Sequence, residues 1–221
     1  MPQQAVIFDV DGVLVDSYQP HFQSWRQMLA EQGFEFTEAQ FRATFGRTTR
    51  DIIRQLCGDQ FPDQRVQAFD ERKEALYRES VRHNFPAVDG AVELIDALAA
   101  TGFAMAVGSS GPTENVTLTL DCLGRADSFA ARVTGSDVTR GKPDPQVFLM
   151  AAERLGVDPQ HCAVVEDAPA GVEAANRAHM LSIALTGTAT RAQLAHADLI
   201  VDSLRELTPS TITQLLHHRS T

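Results

Sequence analysis

In the stretch "VIFDVDGVLVDS", two aspartates one residue apart, Asp9 and Asp11, stand where an apolar run stops, with Gly12 beside them and Asp16 shortly after. Charges on a solvated face would be spread along it; acids gathered at the end of a strand-like segment point to binding instead. Three later segments end in the same way. Ser109 and Ser110 follow "FAMAVG", Lys142 of "RGKPDP" follows "ARVTGSD", and Glu166 and Asp167 close "CAVVED". In an open parallel sheet, ligands bind beyond the carboxyl ends of the strands, so these four endings predict one shared site. Each alone has a plain explanation as a helix cap or a solvated lysine; their convergence on one edge carries the functional reading.

Carboxylates with no His or Cys beside them form a hard oxygen site, which suits magnesium better than zinc. Magnesium commonly partners phosphate. A phosphoryl group is already negative, so an attacking carboxylate needs a cation and hydrogen-bond donors to offset the repulsion, and Lys142 and the Ser109 hydroxyl supply donors. With phosphate so held, Asp9 can attack phosphorus in line and form an aspartyl phosphate. Asp11 can protonate the leaving oxygen and later take the proton from the water or hydroxyl that attacks the intermediate. Gly12 lets the chain turn sharply, so that both side chains face one pocket despite strand alternation.

The elements that must position these groups read as βα units. Short apolar runs at 4–10, 103–110, 131–137, 162–168, 181–187 and 197–203 alternate with helical segments, which predicts an α/β fold on a mostly parallel, Rossmann-like sheet. Pro112, Pro145 and Pro169 open helices; Gly124 and Gly156 close the first two, and Val172, Ala175 and Ala178 mark one face of the third. About ninety residues separate the first two strands, far more than one crossover requires. Between them "HFQSWRQMLAEQG", "TEAQFRATFG", "TRDIIRQLCG" and "RVQAFDERKEALYRESVRHN" show three- and four-residue apolar spacing with stops at Gly33, Gly46 and Gly58. Residues 17–85 therefore form an all-helical cap, placed to act as a lid, inserted into a catalytic core of 1–16 and 86–221. The tail "LLHHRST" reads as frayed.

With 221 residues and 43% hydrophobic content, the chain can bury a full core. Its formal net charge of -10 excludes a broad nucleic-acid footprint. The odd, widely spaced Cys57, Cys122 and Cys162 fit neither a zinc site nor a redox motif, and read as small buried residues in a reducing compartment. The start lacks a signal peptide's cationic region, and no stretch reaches membrane-spanning length. A cytoplasmic protein with neither nucleic-acid nor membrane partner is expected, with a monomer favoured.

"DVDGVLVDS", "VGSSGP", "GKPDP" and "VVEDAPAGVEAA" resemble the four ordered motifs of the haloacid dehalogenase superfamily, in its β-phosphoglucomutase and phosphoglycolate-phosphatase-like branch with a helical cap. The resemblance covers essentially the whole chain. It implies Asp9 as nucleophile, Asp11 as acid and base, Ser109 and Lys142 as phosphate ligands, and Glu166 and Asp167 on the side of a Mg2+ cofactor. The Asp9 carboxylate and the Asp11 main-chain carbonyl would complete the metal's protein ligands. The paired aspartates speak against true dehalogenases and phosphonatases.

In the cap, "DSYQPHFQSW" resembles a mutase pattern in which a histidine, here His21, assists proton transfer, and Lys73 of "ERKEALY" resembles a cap lysine. Arg47, Thr48, Thr49 and Arg50 of "FGRTTRD" stand at a helix start, suited to clamp a substrate's distal anion; Ser110 is a further substrate-binding candidate. Asp16 and Ser17 read as the hinge. Sugar mutases resemble "S-R-[DE]" in the cap loop, whereas Thr49 stands in the arginine's place; Pro112 and Thr113 stand where a mutase has lysine and asparagine. A mutase must hold a bisphosphate through turnover, so these losses favour a phosphatase acting on a small phosphorylated metabolite. The alternatives are a β-phosphoglucomutase-type enzyme and a non-catalytic phospholigand-binding protein.

Overall fold

Six short apolar runs pair side by side into one all-parallel sheet, β1 Ala5–Phe8, β2 Ala104–Gly108, β3 Ala131–Val133, β4 Cys162–Glu166, β5 Leu181–Leu185 and β6 Leu199–Val201, in the order β3-β2-β1-β4-β5-β6. The computed structural model describes residues 3–44, 49–58 and 62–219, and of Cys57 the backbone alone. Sheets of this kind are covered on both faces, which is why β1 and β4 are apolar at nearly every position and fully buried. Strand order reverses between β1 and β4, the place where such sheets open a crevice.

The chain divides into two compact units, residues 1–16 with 86–221, and residues 17–85. In the first unit the helices are α5 Ala91–Ala100, α6 Thr113–Leu123, α7 Gln146–Leu155, α8 Pro169–Arg177 and α9 Pro209–Arg219. Ile7, Ala106, Val133 and Val164 from the strands pack with Phe148, Ala151, Ala174 and Ala175 from α7 and α8 in one buried cluster. The helices after β2 and β3 stop at Gly124 and Gly156, as their punctuation predicts. Beyond Asp16 the chain leaves this unit and returns at Pro86, and the departing and returning segments are joined: the Asp16 amide donates to the Pro86 carbonyl at 2.8 Å, and Val15 bridges Ala87 antiparallel.

The second unit is helical in its described residues: α1 Tyr18–Ala30, α2 Glu38–Arg42, α3 Thr49–Cys57 and α4 Asp63–His83. Its core joins Phe22, Trp25, Met28 and Leu29 of α1 to Phe41, Ile53, Phe69 and Leu76. Thr37 caps α2 in a reciprocal exchange with Gln40. Among the described residues, no helix is long and apolar enough to cross a membrane.

Two expectations are corrected here. Leu215 to Arg219 of the tail are not frayed: they belong to α9, which buries Ile212 and Leu216, one turn apart, and lies against β4 and β5; Ser220 and Thr221 lie outside the described residues. Its last turn carries His217, His218 and Arg219, a sign that suits a helix C-terminus, and Arg219 pairs with Asp198. The polar ending masked an apolar stripe that begins further upstream. Cys162 is buried in β4 but Cys122 is exposed, because its position near the end of α6 faces away from the stripe formed by Val116, Leu120 and Leu123.

Candidate functional site

Register fixes the first two carboxylates. Phe8 lies level with Val165, and the Asp9 amide donates to the Val165 carbonyl at 2.9 Å, so Asp9 and Glu166 leave adjacent strands side by side. Lys142, from the loop between β3 and α7, reaches between them: its Nζ donates to Asp9 Oδ1 at 2.5 Å and to Glu166 Oε1 at 2.7 Å, and lies 4.8 Å from the centre of the Phe148 ring. The other Glu166 oxygen accepts the amides of Asp167 and Ala168, each at 2.7 Å. Glu166 is thereby tied at both oxygens, to the backbone leading into α8 and to the lysine. Asp9, Glu166 and Asp167 each present a carboxylate oxygen within 4.8 Å of the others, and all three are buried.

Two glycines make this density of charge possible. A Cβ at Gly171 would lie 1.7 Å from Glu166 Oε1, so only glycine lets α8 pass over that carboxylate. A Cβ at Gly12, whose φ is +77°, would lie 1.9 Å from Asp167 Oδ2 and 3.0 Å from Thr188 Oγ1. The turn after β1 and the close approach of Asp167 therefore both require that residue.

The loop after β2 brings a hydroxyl. Ser109 is buried, its amide donates to the Val133 carbonyl at 2.9 Å, and its Oγ accepts the Gly111 amide at 2.9 Å. The hydroxyl proton is then left to donate elsewhere. Asp11 Oδ2 and Ser109 Oγ converge on Gly111, at 3.5 Å and 3.3 Å from the position its Cβ would take. Ser110 is exposed.

Three buried carboxylates share a single ammonium. Burial, reinforced by the charges of Glu166 and Asp11, raises Asp9 to about 7 although Lys142 opposes it. Burial and the neighbouring carboxylates Glu166 and Asp9 hold Asp167 well above the usual carboxylate range, against a hydrogen bond from Thr188. Burial would push Lys142 down, but Asp9 and Glu166 outweigh it and the ammonium is held charged. Fully ionised, the cluster carries more negative than positive charge, and it offers oxygen donors with neither His nor Cys among them. That donor set and that imbalance fit a hard divalent cation.

A family model described as haloacid dehalogenase-like hydrolase matches residues 3–179. The chain belongs to this family. Validoxylamine A 7'-phosphate phosphatase of Streptomyces hygroscopicus subsp. limoneus is 30% identical over 92% of this chain and 95% of its own length. Beta-phosphoglucomutase of Bacillus subtilis is 28% identical over 97% and 94%. A solved HAD hydrolase, family IA, variant 3, from Entamoeba histolytica superposes with a TM-score of 0.88 at 26% identity, covering 97% of this chain and all of that one. This haloacid dehalogenase-like hydrolase is an enzyme of the phosphatase and phosphotransferase kind.

The candidates in the hydrolase's helical unit form two separate groups. His21 stacks on Tyr77 at 4.2 Å, and buried Lys73 pairs with Glu74 at 2.6 Å while lying 5.9 Å from the centre of the same Tyr77 ring. Thr49 donates to Asp70 at 2.6 Å and Arg50 lies 3.8 Å from Asp63, so carboxylates already face the two described members of the expected four-residue anion clamp. Arg47 and Thr48 lie outside the described residues. Sequence reasoning missed Gly171 and Thr188. The "PAG" after the acidic pair was a signal for the first; nothing in "LTGTAT" marks the second.

Proposed function

We propose that the chain is a magnesium-dependent phosphatase of a small phosphorylated metabolite, such as a sugar phosphate or phosphoglycolate. The observation that carries this reading is the buried cluster in which Lys142 joins Asp9 and Glu166 with Asp167 alongside. Asp9, Glu166, Asp167 and the Asp11 main-chain carbonyl are the groups that would hold magnesium, which when bound supplies positive charge to phosphoryl oxygens.

Lys142 Nζ and the Ser109 hydroxyl hold the substrate's phosphoryl oxygens, and the burial of both strengthens their pull on that charge. An Asp9 oxygen attacks phosphorus, forming one P–O bond as the ester P–O bond opposite it breaks. The leaving oxygen takes a proton from the Asp11 carboxyl. Asp11, now a carboxylate, accepts a proton from water as that water attacks phosphorus, and the bond to Asp9 breaks to release inorganic phosphate.

A specific feature favours hydrolysis over mutase chemistry. The loop after β2 offers Pro112 and Thr113, and the Thr113 hydroxyl is already within 2.8 Å of Thr134 Oγ1, so this loop supplies no cation to retain a bisphosphate. Incubation with β-glucose 1-phosphate and a trace of bisphosphate tests this: free phosphate is expected, and glucose 6-phosphate would mean a mutase. Magnesium-dependent release of phosphate from p-nitrophenyl phosphate, lost in Asp9→Asn, is expected of the enzyme; no release by the wild type would mean a binding protein.

A further inference from the structure

Lys142 is one of only two lysines in the chain, the other being Lys73. Its ammonium must cross from a loop to two carboxylates on neighbouring strands, so the loop's path decides whether it arrives. That path is closed by one side chain. The carboxamide oxygen of Gln146, the first residue of α7, accepts the Thr139 amide at 3.0 Å, the Thr139 hydroxyl at 3.2 Å and the Arg140 amide at 2.9 Å. Inside this closure a second one tightens the apex: the Asp144 amide donates to the Gly141 carbonyl at 3.0 Å, and Asp144 Oδ1 accepts the Gln146 amide at 3.0 Å. Lys142 sits within the inner turn.

The geometry points to Gln146 as a positioning residue that staples the two ends of the 139–146 segment and so keeps Lys142 on Asp9 and Glu166. Its role in catalysis rests on the reading of Lys142 as a phosphate ligand; its role in holding the loop does not. Thr139 and Arg140 are exposed, so water takes over their donors when the carboxamide is removed and the fold is little disturbed. What is lost is the register of the loop, and small displacements of a group that contacts a reacting centre cost rate steeply.

The test uses the intact chain as wild type, Gln146→Ala and Gln146→Glu, the last keeping the acceptor. Native protein is treated with acetic anhydride, and modification at Lys142 is timed by peptide mass spectrometry. Alkylation of Cys162, buried in β4 of the same unit, runs in parallel as a control for general loosening. Gln146→Ala is expected to acetylate at Lys142 about fivefold faster with Cys162 unchanged, and to lose about tenfold in kcat on p-nitrophenyl phosphate. Gln146→Glu is expected to restore both. Unchanged acetylation overturns the inference, as does faster acetylation accompanied by equally faster alkylation of Cys162. In an active wild type, faster acetylation with unchanged kcat also overturns it. If the wild type hydrolyses nothing, the phosphatase reading fails while the acetylation rates still decide whether Gln146 holds the loop.

Discussion

Replacing Gly171 with alanine adds one methyl group at the most crowded point of the candidate site. The new carbon would lie 1.7 Å from Glu166 Oε1, 1.9 Å from its Cδ and 2.6 Å from its Cγ, so no small rotation relieves the overlap. Glu166 must vacate its place. Its departure strips the Asp167 and Ala168 amides of their acceptor and leaves Lys142 with Asp9 alone. A buried amide without a partner costs about 1–3 kcal/mol, while alanine in a helix returns about 1 kcal/mol relative to glycine. Allowing for partial access of water at Ala168, the net loss is about 2–4 kcal/mol. Urea unfolding near neutral pH reads that loss, and turnover of p-nitrophenyl phosphate should fall about a hundredfold or more as Lys142 is displaced. Glu166→Ala provides the decisive background, because it removes the atoms that the methyl group strikes. There, Gly171→Ala should be neutral or stabilise by up to about 1 kcal/mol. A penalty of equal size in both backgrounds, or wild-type stability and turnover in the single variant, would refute the reasoning.

Three further outcomes follow from the same geometry. Metal-free protein should lose stability as pH rises from about 4 to about 7, because Asp9 is raised from its ordinary 3.8 to about 7 and its ionisation is costlier folded than unfolded. The whole shift corresponds to about 4 kcal/mol. Asp9→Asn should make that stretch of the urea-midpoint profile shallower, the raised Asp167 keeping part of the slope, and parallel profiles would sink the claim; the upward shift of Lys142 acts only at alkaline pH and leaves this window alone. Magnesium should raise the urea midpoint more at pH 8 than at pH 5, since the ion competes with protons for Asp9 and Asp167, and equal effects would contradict this. Ile212→Ala should cost about 2–4 kcal/mol by chemical denaturation, as expected for a fully buried side chain; a cost near zero would return the last helix to a loose tail.

Much of the core was legible because strand ends and helix starts are marked by residue type. "AVIF" ending in Asp9 and "CAVVE" ending in Glu166 show where two strands stop, and parallel topology does the rest by bringing the stops to one edge. Proline and glycine marked α6, α7 and the start of α8 correctly for the same local reason. What escaped notice depends on contacts between distant segments. The place of Thr188 beside Asp167 follows from where β5 ends relative to β4, and no local pattern announces it. The exposure of Cys122 depends on which side of α6 meets the sheet. In the helical unit, Thr49 and Arg50 read as a cationic, donor-rich helix start, and only the fold shows Asp70 and Asp63 standing opposite them.

The hydrogen bond from Asp16 to Pro86 has an evolutionary consequence. Where a polypeptide exits and re-enters through two segments already clasped together, everything between them can be exchanged as a cassette, because the seam belongs to the host and not to the insert. Recombination at that seam would change the inserted helices while the strand-borne acids and Lys142 kept their places, and a short glycine bridge spliced across it should leave a sheet that still forms.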